Sequence, residues 1–154
     1  ILPIRLLRLY VNAYQSWLWN ETVGRYLQEQ GELWKKERYS QGCFIFIRNQ
    51  DQFKGLQVPL LGFTGLRGVP DSQQQIVQDI MQAEKLSFAD FVIKQIPELS
   101  AEGEMRKVFT PVENFKKESQ GPDDLNPGKK KITVSFTLPK GSYATMVIRR
   151  IIKC

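Results

Sequence analysis

The chain has 154 residues, enough for one medium domain or for a small domain and part of another. Hydrophobic residues make up 42% and charged residues 25%, which is typical of a soluble globular chain, and the longest apolar run, residues 43–47, is far too short for a membrane helix. Histidine is absent, which excludes Ser-His and Cys-His nucleophile pairs and His-ligated zinc within this sequence.

The two cysteines, Cys43 and Cys154, form no CxxC motif for a metal or for redox chemistry. A disulfide between them and a reducing cytoplasm fit the sequence equally well. No secretory signal pattern is visible. The chain begins at Ile1 and not at Met, which we interpret as the mark of a fragment or of a processed product.

The positive charge is confined to the last third of the chain. Residues 104–154 contain eleven Lys or Arg and five Asp or Glu, a net charge of +6, whereas residues 1–103 contain eleven of each. A localised basic excess favours a polyanionic partner, with nucleic acid as the first candidate, although a solvated charged face fits the composition equally well.

A long helix is predicted for residues 4–30, because apolar side chains recur at helical spacing and Gly31 supplies a stop. The opposite stripe of this helix is polar and either faces solvent or anchors a neighbouring loop; its members are Asn12, Ser16 and Asn20. Three aromatic residues of the helix are interpreted as core or packing residues, namely Tyr14, Trp17 and Trp19.

Four segments follow before residue 103. Residues 43–48 are a candidate strand, and residues 57–70, rich in Gly and Pro, are predicted to be a loop. Asp71 or Ser72 is expected to cap a helix that continues through residue 81. Residues 87–90 resemble a capping box that opens a short helix, which Pro97 is expected to end.

The pattern changes from helices to strands near residue 103. Residues 107–112 are predicted to form a strand, which Pro111 would place at a sheet edge. Residues 131–138 alternate strictly between apolar and polar side chains and form the strongest strand signal in the chain. A turn at residues 139–142 then leads into a helix over residues 144–152, with Ser142 expected as its cap and Tyr143 in its first turn.

Two segments resemble the TruD-type tRNA pseudouridine synthases. Residues 136–145, Phe-Thr-Leu-Pro-Lys-Gly-Ser-Tyr-Ala-Thr, together with a hydrophobic–Arg pair that ends at Arg149, are similar to the C-terminal signature of that family. Residues 13–20 resemble a family helix in which Ser16 and Asn20 are the characteristic polar positions. The sequence departs from the family at Arg150, where Glu is frequent, and has Tyr143 where many relatives have Phe.

The resemblance implies an α+β fold, in which a mixed, mostly antiparallel sheet with flanking helices forms the pseudouridine synthase catalytic domain. A largely helical insertion domain interrupts that domain. Residues 1–103 are then part of the insertion domain, and residues 104–154 are the C-terminal part of the catalytic domain. The family's catalytic aspartate lies upstream of the helix that residues 13–20 resemble. We therefore expect the nucleophile to be absent from this chain. The expected partner of the chain is the missing N-terminal half of the catalytic domain.

The resemblance also implies the activity, which is isomerisation of uridine to pseudouridine in tRNA, at uridine 13 in the family, with no cofactor and no metal. The target base is flipped out, and Tyr143 is expected to stack on it. Gly141 and Ser142 would shape the turn that presents this ring. The substrate's phosphates would be bound by basic residues near the turn and helix, Lys140, Arg149 and Arg150. Further candidates for phosphate contacts are Lys129, Lys130, Lys131 and Lys153.

Three readings of the sequence follow: a fragment of such an enzyme, inactive when isolated; a non-catalytic RNA-binding module; and a protein-interaction domain. The signature around Tyr143 favours the first reading over the second, because a binding module has no need of a base-sized aromatic pocket. The positive charge at the C-terminal end of the chain disfavours a protein-interaction domain. Tyr143 could instead be a core aromatic that fills the strand–helix corner. We expect a cytoplasmic protein without membrane contact.

Overall fold

A computed structural model describes residues 2–152. The chain divides into two compact units, the first ending at Phe109 and the second beginning at Thr110. The assignment of residues 1–103 to an insertion domain and of residues 104–154 to a catalytic domain stays a prediction. A phosphate contact by Lys153 and a disulfide to Cys154 fall outside the described residues.

The first unit is organised around helix α1, Ile4–Gln30, which has the bounds predicted from the sequence. Gly31 ends the helix and donates its backbone N–H to the Leu27 carbonyl at 3.0 Å. Strands β1, Leu33–Tyr39, and β2, Gly42–Ile47, form an antiparallel hairpin. The side of α1 that carries Gly24 lies against β2, where the space beside this glycine is bounded by the Ile45 side chain.

Strands β3, Gln57–Leu60, and β4, Glu104–Lys107, pair antiparallel, and helix α2, Asp71–Ala83, lies between them in the chain. The larger core cluster joins α1, α2 and the segments after β3 and before β4, and its buried members are Leu18, Leu61, Ile76, Val77, Ile80, Met81, Phe91 and Ala101. A second cluster joins the end of α1 to β2 through Leu27, Ile47 and Phe53.

Several sequence-based boundaries in this unit are wrong. Residues 57–60 form a strand although the segment was expected to be a loop, and the strand expected at residues 107–112 lies at Glu104–Lys107. Helix α2 begins at Asp71 itself, so neither Asp71 nor Ser72 caps it. The capping box between Ser87 and Asp90 is confirmed, but its 3-10 turn ends at Phe91, and Pro97 begins a further turn.

The second unit contains an antiparallel hairpin of strands β5, Glu113–Pro122, and β6, Lys130–Thr137, followed by helix α3, Ala144–Ile151. Strand β6 and helix α3 agree with the sequence to within one residue at each end, whereas β5 was not predicted. None of residues 110–152 is buried. The α+β class is confirmed, and each of the three sheets found among the described residues is a two-stranded antiparallel pair.

No helix in residues 2–152 is long and apolar enough to cross a membrane.

Candidate nucleic-acid interface

The corner between β6 and α3 is a tight turn that only glycine accommodates without strain. The Ser142 backbone N–H donates to the Pro139 carbonyl at 3.2 Å, and Gly141 has a φ of +87°, in the left-handed region. A Cβ at Gly141 would meet no heavy atom within 4 Å, so the requirement for glycine comes from the backbone and not from crowding. The turn therefore reverses the chain sharply at the end of the strand.

Tyr143 emerges directly from this turn. It occupies the cap position of α3, with φ −101° and ψ 104°, and its carbonyl accepts the Met146 N–H at 3.0 Å. The expectation that Ser142 caps the helix is wrong, because Ser142 lies one residue further out, in the turn. The Tyr143 side chain is 67% exposed, so within this chain it does not fill the corner as a core residue.

Three basic residues of the signature segment differ in their surroundings. Lys140 is exposed in the turn, whereas Arg149 and Arg150 are half-buried in the last turn of α3, where cations complement the carbonyl end of a helix. Desolvation lowers the pKa of Arg150 from its usual value, although the group remains a cation at any physiological pH. Lys140 is therefore the most solvent-accessible of these three charges.

The three further lysines expected to contact phosphate, and described by the structure, differ in whether a carboxylate is paired with them. Lys131 forms an ion pair with Asp124. Lys129 and Lys130 lie beside it at the end of the hairpin, and both are exposed. All three lysines are thus exposed, and Lys131 is the one of them that is paired with a carboxylate.

The polar stripe of α1 lies in the first unit, and its member Asn20 lies near Tyr39 of strand β1. Burial, as the largest cause, and the charge of Glu21 raise the pKa of Tyr39 on β1, and the nearby Asn20 side chain lowers it by a smaller amount. Ser16 is half-buried one turn earlier. Whether this stripe faces solvent or anchors a neighbouring loop stays a prediction.

Sequence reasoning missed three anchoring hydrogen bonds from the same helix. Gln15 is buried and its Nε2 donates to the Leu61 carbonyl at 2.7 Å. The indole N–H groups of Trp17 and Trp19 donate to the carbonyls of Gln41 and Val58 at 3.0 and 3.1 Å. Because the acceptors are backbone carbonyls far along the chain, no residue type in the sequence marks them as partners.

Across residues 2–152, no group of three or more His, Cys, Asp or Glu side chains is placed to hold a metal ion.

Comparison with known proteins identifies the family. The sequence profile described as tRNA pseudouridine synthase D (TruD) matches residues 1–151. The chain is 33% identical, over 99% of its length, to the probable tRNA pseudouridine synthase D of Methanosarcina acetivorans. It is 31% identical, over 96% of its length, to the probable tRNA pseudouridine synthase D 1 of Methanococcus maripaludis. It spans 39% of the length of each of these two relatives.

A solved structure supports the same conclusion. A crystal structure from Methanosarcina mazei, described as a tRNA pseudouridine synthase D (TruD), matches this chain with a TM-score of 0.63 at 28% sequence identity. The match covers 96% of this chain and 38% of that one. The chain therefore belongs to the TruD family, as the signature at residues 136–145 predicts.

Proposed function

We propose that this chain is part of a tRNA pseudouridine synthase, an isomerase that converts a uridine of tRNA to pseudouridine, and that Tyr143 stacks on the target uracil. The observation that carries the proposal is an exposed aromatic ring at the signature corner of a chain that belongs to the TruD family. By resemblance the target is uridine 13 and the enzyme works in the cytoplasm without cofactor or metal. Lys140, Arg149 and Arg150 are the proposed contacts to the substrate around that base.

The reaction breaks the bond from the ribose to N1 of uracil, rotates the base, and forms a bond from the ribose to C5. C5 releases its hydrogen as a proton and N1 takes up a proton, so the product is an isomer of the substrate. A carboxylate is the family's catalytic group, and we propose that it comes from residues outside these 154. The two aspartates of the second unit support this view, because they lie at the end of β6 remote from Tyr143. Asp124 is paired with Lys131, and Asp123 accepts hydrogen bonds from Leu125 N and Asn126 Nδ2 at 2.9 and 2.8 Å.

The proposed partner is the remaining part of the catalytic domain. The second unit exposes large apolar side chains on β5, β6 and α3, among them Phe115 at 46%, Ile132 at 58% and Ile151 at 48%. Phe115 and Phe136 stack across the hairpin with ring centroids 6.1 Å apart, yet none of residues 110–152 is buried. Apolar surface of this kind is stabilised when a further layer covers it.

Tritium release from tRNA labelled at uridine C5 tests the proposal. The purified 154-residue chain should release no tritium above background. The polypeptide encoded by the whole reading frame that contains the chain should release it with turnover, and pseudouridine should appear at position 13. Turnover by the isolated chain would refute the absence of the catalytic aspartate, and an inactive whole polypeptide that is well folded would refute the function itself.

A further inference from the structure

Gly121, near the end of strand β5, has no folding reason to be glycine. Its φ is not in the left-handed region, and a Cβ built there would meet no heavy atom within 4 Å. Glycine inside a strand costs about 0.5–1 kcal/mol relative to alanine, and a strand glycine often marks a place where a ligand approaches the backbone closely. Gly121 lies opposite Lys131 on β6.

The backbone left open by Gly121 is one wall of a concavity at the tip of the hairpin. The concavity has a volume of about 580 Å³, and its lining residues are Gln120, Gly121, Pro122, Gly128, Lys129 and Lys130. Gly128 has a φ of +81°, which the turn requires, and a Cβ there would likewise meet nothing within 4 Å. Two lysines and two glycines, whose backbone no side chain covers, therefore line the same concavity.

The acidic groups near this tip are already engaged. Asp124 is paired with Lys131, and Asp123 is held within the turn by its two hydrogen bonds. Hydrogen bonds from Asn126, as the largest cause, and from Leu125 lower the pKa of the Asp123 carboxyl, so it remains an anion that is satisfied locally. Within residues 2–152, no carboxylate lies within 4.0 Å of the ammonium groups of Lys129 and Lys130.

We propose that this concavity binds the sugar–phosphate backbone of RNA, with Lys129 and Lys130 as phosphate contacts and Gly121 and Gly128 as the surface against which the backbone lies. The choice of RNA rests on the proposed function. Strand β6 begins at Lys130 and ends at Thr137, and the rise of about 3.3 Å per residue places these two ends about 23 Å apart. The contact is therefore with a part of the RNA remote from the nucleotide that Tyr143 holds, and it fixes the register of the substrate rather than reading the base.

A different role for the lysines is protection of an exposed strand edge. Lysine on an unpaired edge opposes aggregation, and β5 and β6 pair only with each other among the described strands. This role makes no use of Gly121. Substitution at the glycine, which changes no charge, therefore separates RNA binding from edge protection.

The test is the affinity of the polypeptide encoded by the whole reading frame for a fluorescently labelled tRNA transcript, measured by anisotropy over a salt series. Gly121→Val should weaken binding on the order of tenfold, the loss expected when a charge-assisted contact is blocked, while valine favours the strand. Ser119→Val, on the same strand outside the concavity, is the matched control and should bind like the wild type. Circular dichroism confirms that both variants keep their structure.

The lysines are tested in parallel. Lys129→Ala combined with Lys130→Ala should reduce the magnitude of the log–log salt slope by about 1.4 to 1.8, because each phosphate contact contributes about 0.7 to 0.9. Lys54→Ala combined with Lys94→Ala removes the same charge from exposed positions of the first unit and should leave the slope unchanged. Lys129→Arg combined with Lys130→Arg should retain both affinity and slope.

Four results would overturn the proposal. They are a whole wild-type polypeptide that does not bind tRNA, equal effects of Gly121→Val and Ser119→Val, equal slopes in the two lysine pairs, and hairpin variants that aggregate without loss of affinity. Binding to anionic phospholipid vesicles in place of tRNA, lost in the same variants, would also overturn it. The assay requires no turnover. An inactive whole polypeptide would thus refute the proposed isomerase while leaving this RNA contact standing.

Discussion

The position of Tyr143 is determined by the turn that precedes it in the chain. Gly141 allows the left-handed backbone of the turn, and the turn ends in a cap residue whose extended conformation directs its side chain out of the helix. Among the described residues, Tyr143 is 67% exposed. The exposed ring is therefore accessible for the stacking on uracil that we propose.

Replacement of Tyr143 tests stacking within the whole polypeptide. Base–aromatic stacking is worth about 1–3 kcal/mol, so Tyr143→Ala should reduce kcat/KM by about ten- to a hundredfold. Tyr143→Phe should have little effect, because the ring and not the hydroxyl stacks. The measurement is tritium release together with thermal melts. A well-folded Tyr143→Ala enzyme with wild-type turnover would exclude stacking, and a parallel loss of melting temperature and activity would favour a packing role.

At the residue scale the sequence predicted the turn glycine and the aromatic residue, but not the cap. A cap residue must have extended backbone immediately before the first helical residue, and that place belongs to Tyr143. Ser142 was the better cap by residue type, but its N–H is used within the turn. The hydrogen-bond acceptors of Gln15 and Trp19 could not be predicted either, because every residue has a backbone carbonyl and none is marked as an acceptor by its residue type.

At the scale of elements, predictability followed the periodicity of the apolar residues. Helix α1 and strand β6 bury or half-bury one face, and both were predicted with nearly their observed bounds. Strand β5 is exposed along almost its whole length, so its side chains show no alternation that could have marked it as a strand. Strand β3 is short and contains Pro59, which is tolerated because a two-stranded sheet leaves one edge of each strand unpaired.

Two glycines of the first unit give opposite predictions. At Gly62 a Cβ would lie 2.3 Å from backbone atoms of Glu102 and Gly103, so Gly62→Ala must separate the chain segments that follow β3 and precede β4. At Gly24, inside α1, a Cβ would lie 3.5 Å from Ile45 Cγ1, an ordinary contact. Gly62→Ala should therefore lower the free energy of unfolding by about 1–3 kcal/mol, and Gly24→Ala should raise it by about 0.5–1 kcal/mol.

Urea denaturation followed by tryptophan fluorescence measures both changes. All three tryptophans lie in the first unit, at positions 17, 19 and 34, so the signal reports on that unit alone. Equal stabilities of Gly62→Ala and the wild type would show that the two segments can separate at no cost.

At the scale of the whole molecule, the two units differ in how they are stabilised. The first unit has two clusters of buried apolar residues built on α1, α2 and β2. The second unit has no buried residue among 110–152, although its hairpin and helix have apolar faces. A two-stranded hairpin is marginally stable in water without such a layer, so the second unit should depend on the remaining part of the protein.

Hydrogen exchange of the backbone amides tests this dependence. In the isolated 154-residue chain, the amides of α1 and α2 should exchange slowly, because opening them exposes the buried clusters. The amides of β5, β6 and α3 should exchange nearly as fast as those of an unfolded chain. In the polypeptide from the whole reading frame, protection should rise in β6 and α3, whose apolar side chains would then be covered. Strong protection of β6 in the isolated chain would show that the hairpin is stable alone, and unchanged protection in the whole polypeptide would show that its apolar face is not the one covered.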